Sequence, residues 1–286
     1  MAILIILACV PLYVINSFCD KAVSVKSSRY NYIYNSIKFF ICSICTVPMI
    51  LTEKSPEFEF GSMLCGVLCG VMYAVGKTVM LKGYAATSVA FMTLCHSSGM
   101  IVPCIMGHFL WSEKLTILSV IGIVITVLAI VLLKESGSKS KGTDIKGIVF
   151  GIIIFLTSAG VMITQKLMGI YFSSQSVGLY NLYSFMFPAV ILCCLSKPSL
   201  IRESTGKSKK TVLLCALGSA VSLSVISFVM TKLASSVPSV ILFPLFNGLG
   251  IIFVCIGSVF AFKESWSVKK TIGLILGVAG LCITNI

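Results

Sequence analysis

The sequence predicts an all-α integral membrane protein with ten transmembrane helices, arranged as two inverted five-helix repeats. Hydrophobic residues make up 57% of the chain and charged residues only 11%, with a mean hydropathy of +1.06. A soluble domain carries about 25% charged residues. Apolar runs of roughly 20 residues, the length that crosses a hydrocarbon core of about 30 Å, recur along all 286 residues. The two halves of the chain also resemble each other.

Charged or turn-forming residues bound each apolar run, and this gives the spans in order. The first begins with MAILIILACVP, which has no basic segment or cleavage site and so predicts a spanning helix rather than a removable signal. Two connections are polar: KESGSKSKGTD at 134–144, and Lys197 to Lys210. The predicted spans are 2–20, 30–51, 61–81, 87–110, 115–133, 147–168, 177–196, 211–231, 237–262 and 268–286.

An internal duplication relates the halves. At an offset of 151 residues, Glu113 falls on Glu264 and Gly122 on Gly273, and at an offset of 146 Tyr34 falls on Tyr180. The predicted domains are therefore a first repeat at 1–134, a linker at 135–145 and a second repeat at 146–286. Because five is odd, the second repeat enters the membrane in the opposite orientation, an arrangement that many secondary transporters share.

The charge distribution predicts the orientation. Lys and Arg number 22 against 9 Asp and Glu, and most of the basic residues lie in the loops of one side. The positive-inside rule then places both termini outside the cytoplasm, and we expect the plasma membrane of a bacterium. The basic residues form no aromatic-interleaved face, so nucleic-acid binding is not expected.

Cysteines and histidines suggest no catalytic or metal chemistry. All 13 cysteines fall in apolar runs, where they behave as small buried hydrophobes, and the CxxC pair Cys42 and Cys45 stands alone. The two histidines, His96 and His108, have no acid close to them in sequence apart from the turn acid at 113. We therefore expect no enzyme, no cofactor and no metal.

Two stretches resemble the EamA-like ten-helix members of the drug/metabolite transporter superfamily. Residues 82–133 carry small residues entering the fourth span, Pro103 within it, a Ser-Glu-Lys-Leu turn and a Gly-bearing fifth span. Residues 233–281 repeat the pattern, with Val254 at the Pro103 position. The resemblance covers both halves. It implies a carrier of a small polar metabolite that works by alternating access.

The resemblance leaves several points open. It does not select among amino acids, sugars and nucleotides, nor between a monomer and a homodimer. Members are commonly drawn with cytoplasmic termini, whereas the loop charges of this chain indicate the reverse. A lipid-linked substrate flippase and a non-transporting membrane scaffold are the alternative functions.

A weakly polar centre is the predicted substrate site. His96 in the fourth span falls on Asn247 in the ninth, so the two would face each other across a pseudo-twofold axis. The alternative is that each makes one interhelical hydrogen bond. The resemblance implies that the first, third, sixth and eighth spans also line the cavity. The alternative is that their polar residues make ordinary helix-packing contacts. Their polar residues at similar depth are Tyr13, Asn16, Tyr73, Thr157, Ser158 and Ser224.

Charged residues complete the candidates. Lys77 could bind an anionic substrate or snorkel to the headgroups, and Lys38 either faces the bundle interior or marks a shifted span. All acids fall at span ends or in loops, so no carboxylate is expected at the midplane of the membrane. Glu113 and Glu264 occupy matching turns, and with Pro103 they are the structural or gating candidates.

Overall fold

The computed structural model describes residues 2–24, 28–53, 60–86, 89–114, 116–133, 145–172, 176–196, 209–262 and 268–284. All the regular structure in these ranges is helical, which confirms the all-α class. The helices are α1 (Ala2–Val23), α2 (Ser28–Leu51), α3 (Phe60–Ala86), α4 (Val89–Ser98), α5 (Ile101–Trp111), α6 (Ile117–Leu133), α7 (Ile145–Tyr171), α8 (Val177–Ser196), α9 (Lys209–Ala234), α10 (Ser239–Phe262) and α11 (Val268–Thr284).

Seven of these helices are long and apolar enough to cross a membrane: α1, α2, α3, α7, α8, α9 and α10. The other four have 10 to 17 residues. Large apolar side chains such as Leu51 and Phe260 are exposed on the outside of the bundle, as lipid contact requires. The structure thus confirms an all-α membrane protein, while the count of ten spans stays a prediction.

The predicted fourth span is wrong as a single helix. A turn at Gly99 and Met100 divides it into α4 and α5. Pro103 has no backbone N–H, and its ring clashes with the carbonyl of the residue four positions earlier, which is Gly99. The chain therefore leaves the α-helical path one turn before the proline.

The bundle interior joins the two halves of the chain. The most extensive helix contacts are α6 with α11, α2 with α8, α3 with α7 and α8, and α1 with α9. Two buried clusters fill the space between them. One includes Tyr13, Met92 and Phe243, and the other includes Phe39 and Phe185.

Contacts at the helix ends fix the relative directions of α1, α3 and α7. The Lys21 Nζ donates to the Tyr84 carbonyl at 2.6 Å, so the carboxyl ends of α1 and α3 lie together. Gly61, at the start of α3, packs on the ring of Phe172, just after α7 ends. Consequently α1 and α7, the first helix of each half, run antiparallel. We call the end of the bundle where α1 and α3 finish the Lys21 end. The opposite end, where α7 finishes beside Glu113, is the Glu113 end.

Candidate functional site

Tyr13 lies at the meeting point of α1, α4 and α10. Its hydroxyl is 3.3 Å from the Ser97 Oγ. The centroid of its ring is 6.3 Å from that of His96 and 5.4 Å from that of Phe246, edge to face. Gly250, one turn further along α10, leaves room for this ring. The predicted residues Tyr13 and His96 therefore belong to one site.

Asn247 and His96 both pack against one face of α7. Asn247 is 1% exposed, and its Nδ2 lies 4.0 Å from the Sδ of Met162. Ser158, one turn earlier on α7, donates its hydroxyl to the His96 carbonyl. One helical turn is about 5.4 Å, so the two predicted residues occupy adjacent levels of the same interface. We call the residues Tyr13, His96, Ser158 and Asn247 the polar centre.

Two polar atoms of this polar centre have no hydrogen-bond partner among the residues that the structure describes. The Nδ1 of His96 and the Oδ1 of Asn247 are buried and accept or donate no hydrogen bond, although the Asn247 Nδ2 donates to the Phe243 carbonyl at 2.9 Å. A buried polar group without a partner costs about 1–3 kcal/mol. Such atoms in a native structure are typical of a place where a ligand or water binds.

A buried charged cluster adjoins the polar centre, and its carboxylate, Asp20, is buried although it lies near the end of α1. Asp20 pairs with Lys38 at 2.9 Å, with side chains 3% and 0% exposed. The Asp20 Oδ1 also accepts hydrogen bonds from the Tyr34 hydroxyl at 3.0 Å and from the Ser219 hydroxyl at 2.8 Å. Because α1 continues to Val23 rather than ending at residue 20, this carboxylate stays within the helix bundle.

Lys77 on α3 belongs to the same charged cluster, and Asn16 links it to α9. The Lys77 Nζ donates to the Asn16 Oδ1 at 3.0 Å and lies 3.8 Å from Asp20. The Asn16 Nδ2 in turn donates to the Ser219 carbonyl at 2.9 Å. Lys77 therefore points inward, and the snorkelling alternative is wrong. Lys38 likewise faces the interior, which resolves its two alternatives.

Three other predicted residues make ordinary packing contacts. Tyr73 lies in an aromatic group with Phe39 and Phe185, at centroid distances of 6.0 and 5.6 Å. The hydroxyls of Thr157 and Ser224 donate to carbonyls of their own helices, those of Ile153 and Ala220. The Thr157 and Ser224 hydroxyls thus use their single donor within their own helices.

Glu113 joins the two halves at the Glu113 end. It pairs with Lys166 at 2.7 Å, and it accepts the backbone N–H of Ser239 at 2.8 Å. A carboxylate at the first N–H groups of a helix is favoured by hydrogen bonding and by the helix dipole. Glu113 thus caps α10, in the other half, rather than the helix that follows it.

Glu53 makes a similar connection that the sequence pattern did not reveal. It accepts hydrogen bonds from the Ser176 hydroxyl and from the Gly178 N–H at the start of α8, and it lies 3.8 Å from the Lys232 Nζ. We call these two groups the Glu113 clasp and the Glu53 clasp. Beside the former lies a cavity of about 520 Å³, lined on one side by Leu110 to Glu113 and on the other by Lys166 and Ser235 to Pro238.

Pro103, Glu264 and a possible metal site remain to be located in the structure. Pro103 is buried in the first turn of α5, and Glu264 lies outside the described residues. Within the described ranges, no group of three or more His, Cys, Asp or Glu side chains could hold a metal ion.

Comparison with known proteins identifies two families. Residues 1–134 match the model of the EamA-like transporter family, and residues 181–276 match that of the Small Multidrug Resistance protein. Among curated proteins, no sequence matches significantly. A solved structure titled only as the crystal structure of a protein is similar in fold, with a TM-score of 0.74 at 12% identity, covering 100% of this chain and 98% of that chain.

The two family matches cover parts of both halves, and both families are transporters rather than enzymes. Together with the apolar helices, they show a multi-pass integral membrane protein that transports small substrates. The two matches support a transporter of the drug/metabolite type.

Proposed function

We propose that this protein is a secondary carrier that moves a small polar metabolite by alternating access, and that the polar centre binds the substrate. In this proposal α4 and α5 form one broken span, so that ten spans make two inverted repeats. The observation that carries it is the pattern of helix contacts, most of which map onto one another when the two halves are exchanged.

The exchange replaces α1 by α7, α2 by α8, α3 by α9, the α4 and α5 pair by α10, and α6 by α11. Under it, the contact of α1 with α9 becomes that of α7 with α3, and the contact of α2 with α9 becomes that of α8 with α3. The contact of α1 with α10 becomes that of α7 with α4, while the α2 with α8 and α6 with α11 contacts map onto themselves. Such a pattern is expected of a twofold axis in the membrane plane.

Two lysines support the same relation at opposite ends. Lys21, near the end of α1, donates to the carbonyl of Tyr84 in α3 at 2.6 Å. Lys166, near the end of α7, donates to the carbonyl of Val237 just after α9 at 3.0 Å. In each half, therefore, a lysine near the end of the first helix donates to a backbone carbonyl at or just after the end of the third helix.

The clasps give a physical reason for two alternative states. Both hold the halves together at the Glu113 end, through acids of the first half that cap helices of the second. A pair of halves related by a twofold axis has a second packing of similar energy, in which the opposite end closes. The polar centre lies between the halves and would then be exposed to each side in turn.

Transport by reconstituted protein tests this function. Proteoliposomes are loaded with a mixture of metabolites, and the solutes that leave are identified by mass spectrometry. We expect at least one solute to move, and we expect the double variant His96→Ala with Asn247→Ala to slow it at least about tenfold. Ser224→Ala, whose hydroxyl bonds its own helix, is the matched control and keeps the wild-type rate.

If no soluble solute moves while the protein remains folded, the carrier proposal is wrong. Movement of a fluorescent lipid-linked headgroup under the same conditions would instead favour the flippase alternative. Absence of both activities would favour a scaffold.

We also propose that both termini lie outside the cytoplasm, in the plasma membrane of a bacterium. The basic loops support this orientation. It would place the Glu113 end on the outer side. The structure would then represent a state in which the clasps close the outer end of the bundle.

A further inference from the structure

We infer that the transported solute carries an anionic oxygen group, a carboxylate or a phosphate, and that Lys77 binds this group. The inference rests on the proposed carrier function and adds the charge class of its substrate. It comes from an imbalance of charge in the buried cluster of Asp20, Lys38 and Lys77.

The cluster holds two ammonium groups and one carboxylate. Among the described residues, Asp20 is the only buried acid, whereas Lys38 is fully buried and Lys77 is 12% exposed. With all three groups ionised, their formal charges leave one positive charge uncompensated. An uncompensated charge away from water is costly, and charged groups within membrane spans are therefore typical of functional sites.

The two lysines share Asp20 unequally. The Lys38 Nζ lies 3.0 and 2.9 Å from the two oxygens of Asp20. The hydroxyls of Tyr34 and Ser219 take further lone pairs of the Oδ1. Lys77 is left at 3.8 Å, beyond hydrogen-bond distance. Asp20 therefore pairs closely with Lys38, and Lys77 has only the longer ion pair with the same carboxylate.

Lys77 also has unused hydrogen-bonding capacity. An ammonium has three N–H donors, and the Asn16 Oδ1 at 3.0 Å accepts one of them. The two remaining donors suit the oxygens of a carboxylate or a phosphate, since a charge-assisted bond of this kind is about twice as strong as a neutral one.

The position of Lys77 brings it to the proposed substrate. Asn16, which accepts its hydrogen bond, lies on α1 about one helical turn from Tyr13 of the polar centre. Gly76, the neighbour of Lys77, packs directly on Thr157, the residue before Ser158 of the polar centre. A solute with an anionic end at Lys77 could therefore place its polar remainder against the free atoms of His96 and Asn247.

The loaded proteoliposomes described above decide the charge class without any variant, provided that the mixture contains matched pairs. Suitable pairs are succinate with succinamide, and glycerol 3-phosphate with glycerol. We expect the transported solutes to be anions and the neutral members to be retained. Inhibition by added inorganic phosphate or by acetate distinguishes a phosphate from a carboxylate preference.

Variants then assign the role to Lys77. Lys77→Gln should reduce anion transport at least about tenfold, and Lys77→Arg, which keeps the charge, should retain part of it. Lys82→Gln on the same helix is the matched control, because the Lys82 Nζ lies over the Tyr32 ring, 5.8 Å from its centroid. This control should keep the wild-type rate.

The outcomes separate this inference from the carrier function. Transport of neutral or cationic solutes alone, or an unchanged anion preference in folded Lys77→Gln, overturns the inference and leaves the carrier standing. No transport of any solute by folded wild-type protein overturns the carrier itself. If Lys77→Gln fails to fold, the charge class of the wild-type solutes and the activity of Lys77→Arg still decide.

Discussion

Glu113 and Lys166 form an ion pair at 2.7 Å between the two halves of the chain, with side chains only 10% and 4% exposed. The Glu53 and Lys232 pair joins the halves at the same end, but its N–O distance is 3.8 Å and Lys232 is 48% exposed. In both clasps an acid of the first half caps a helix of the second half and lies near a lysine. The two clasps differ in the N–O distance and in the burial of the lysine. This difference makes them a matched pair for experiment.

Lys166→Met should lower the stability of the folded protein by about 3 kcal/mol, because it leaves a largely buried carboxylate without its cation. Lys232→Met should cost about 1 kcal/mol or less, since solvent screens its pair. Unfolding in the same detergent measures both. Adding Glu113→Gln to Lys166→Met should recover part of the loss, and strictly additive effects would show that the pair is not coupled.

Asp20→Asn should destabilise the protein by about 3–5 kcal/mol, because the amide cannot neutralise the fully buried ammonium of Lys38. Combining it with Lys38→Met removes both charges and should restore most of the stability. The unfolding temperature of the purified single and double variants gives the comparison. A double variant no more stable than Asp20→Asn would mean that the pair is held by something other than charge.

Gly250→Ala should perturb the polar centre, because a Cβ at this position would lie 2.8 Å from the ring of Tyr13. The ring would have to shift, at a cost of about 1–3 kcal/mol, and we expect transport to fall with it. Gly277→Ala is the control, since its Cβ would meet Ala129 at an ordinary 3.6 Å. Equal transport rates for the two variants would show that the ring position is not important.

Cysteine labelling tests the orientation. Ser138→Cys lies in the basic linker, and Ser236→Cys is exposed at the Glu113 end. In a protein whose exposed Cys193 and Cys194 are replaced by Ser, an impermeant thiol probe should label Ser236→Cys in intact cells and Ser138→Cys only after the cells are opened. The opposite result would place the termini in the cytoplasm.

The sequence predicted most of the helices because membrane spans follow directly from hydropathy. The predicted span at 177–196 coincides with α8, and most other boundaries differ by a few residues. The sequence also predicted part of the polar centre, because the internal repeat aligns His96 with Asn247.

The buried charges could not be predicted from the same signals. Asp20 lies 18 and 57 positions from Lys38 and Lys77 in sequence, and only the packing of α1 against α2, α3 and α9 brings these groups together. A count along α1 placed Asp20 at a span end, where a carboxylate is usually hydrated. Likewise, nothing in the turn containing Glu113 indicates that its partner is the first N–H of α10.

The contact between α6 and α11 has a consequence for biosynthesis. It is among the most extensive in the bundle, yet Ile117–Leu133 is translated well before Val268–Thr284. While the ribosome makes α7 to α10, α6 lacks its main partner and must be accommodated by lipid or by the insertion machinery. Its sequence, ILSVIGIVITVLAIVLL, contains no charged residue, so α6 can remain in lipid until α11 is made.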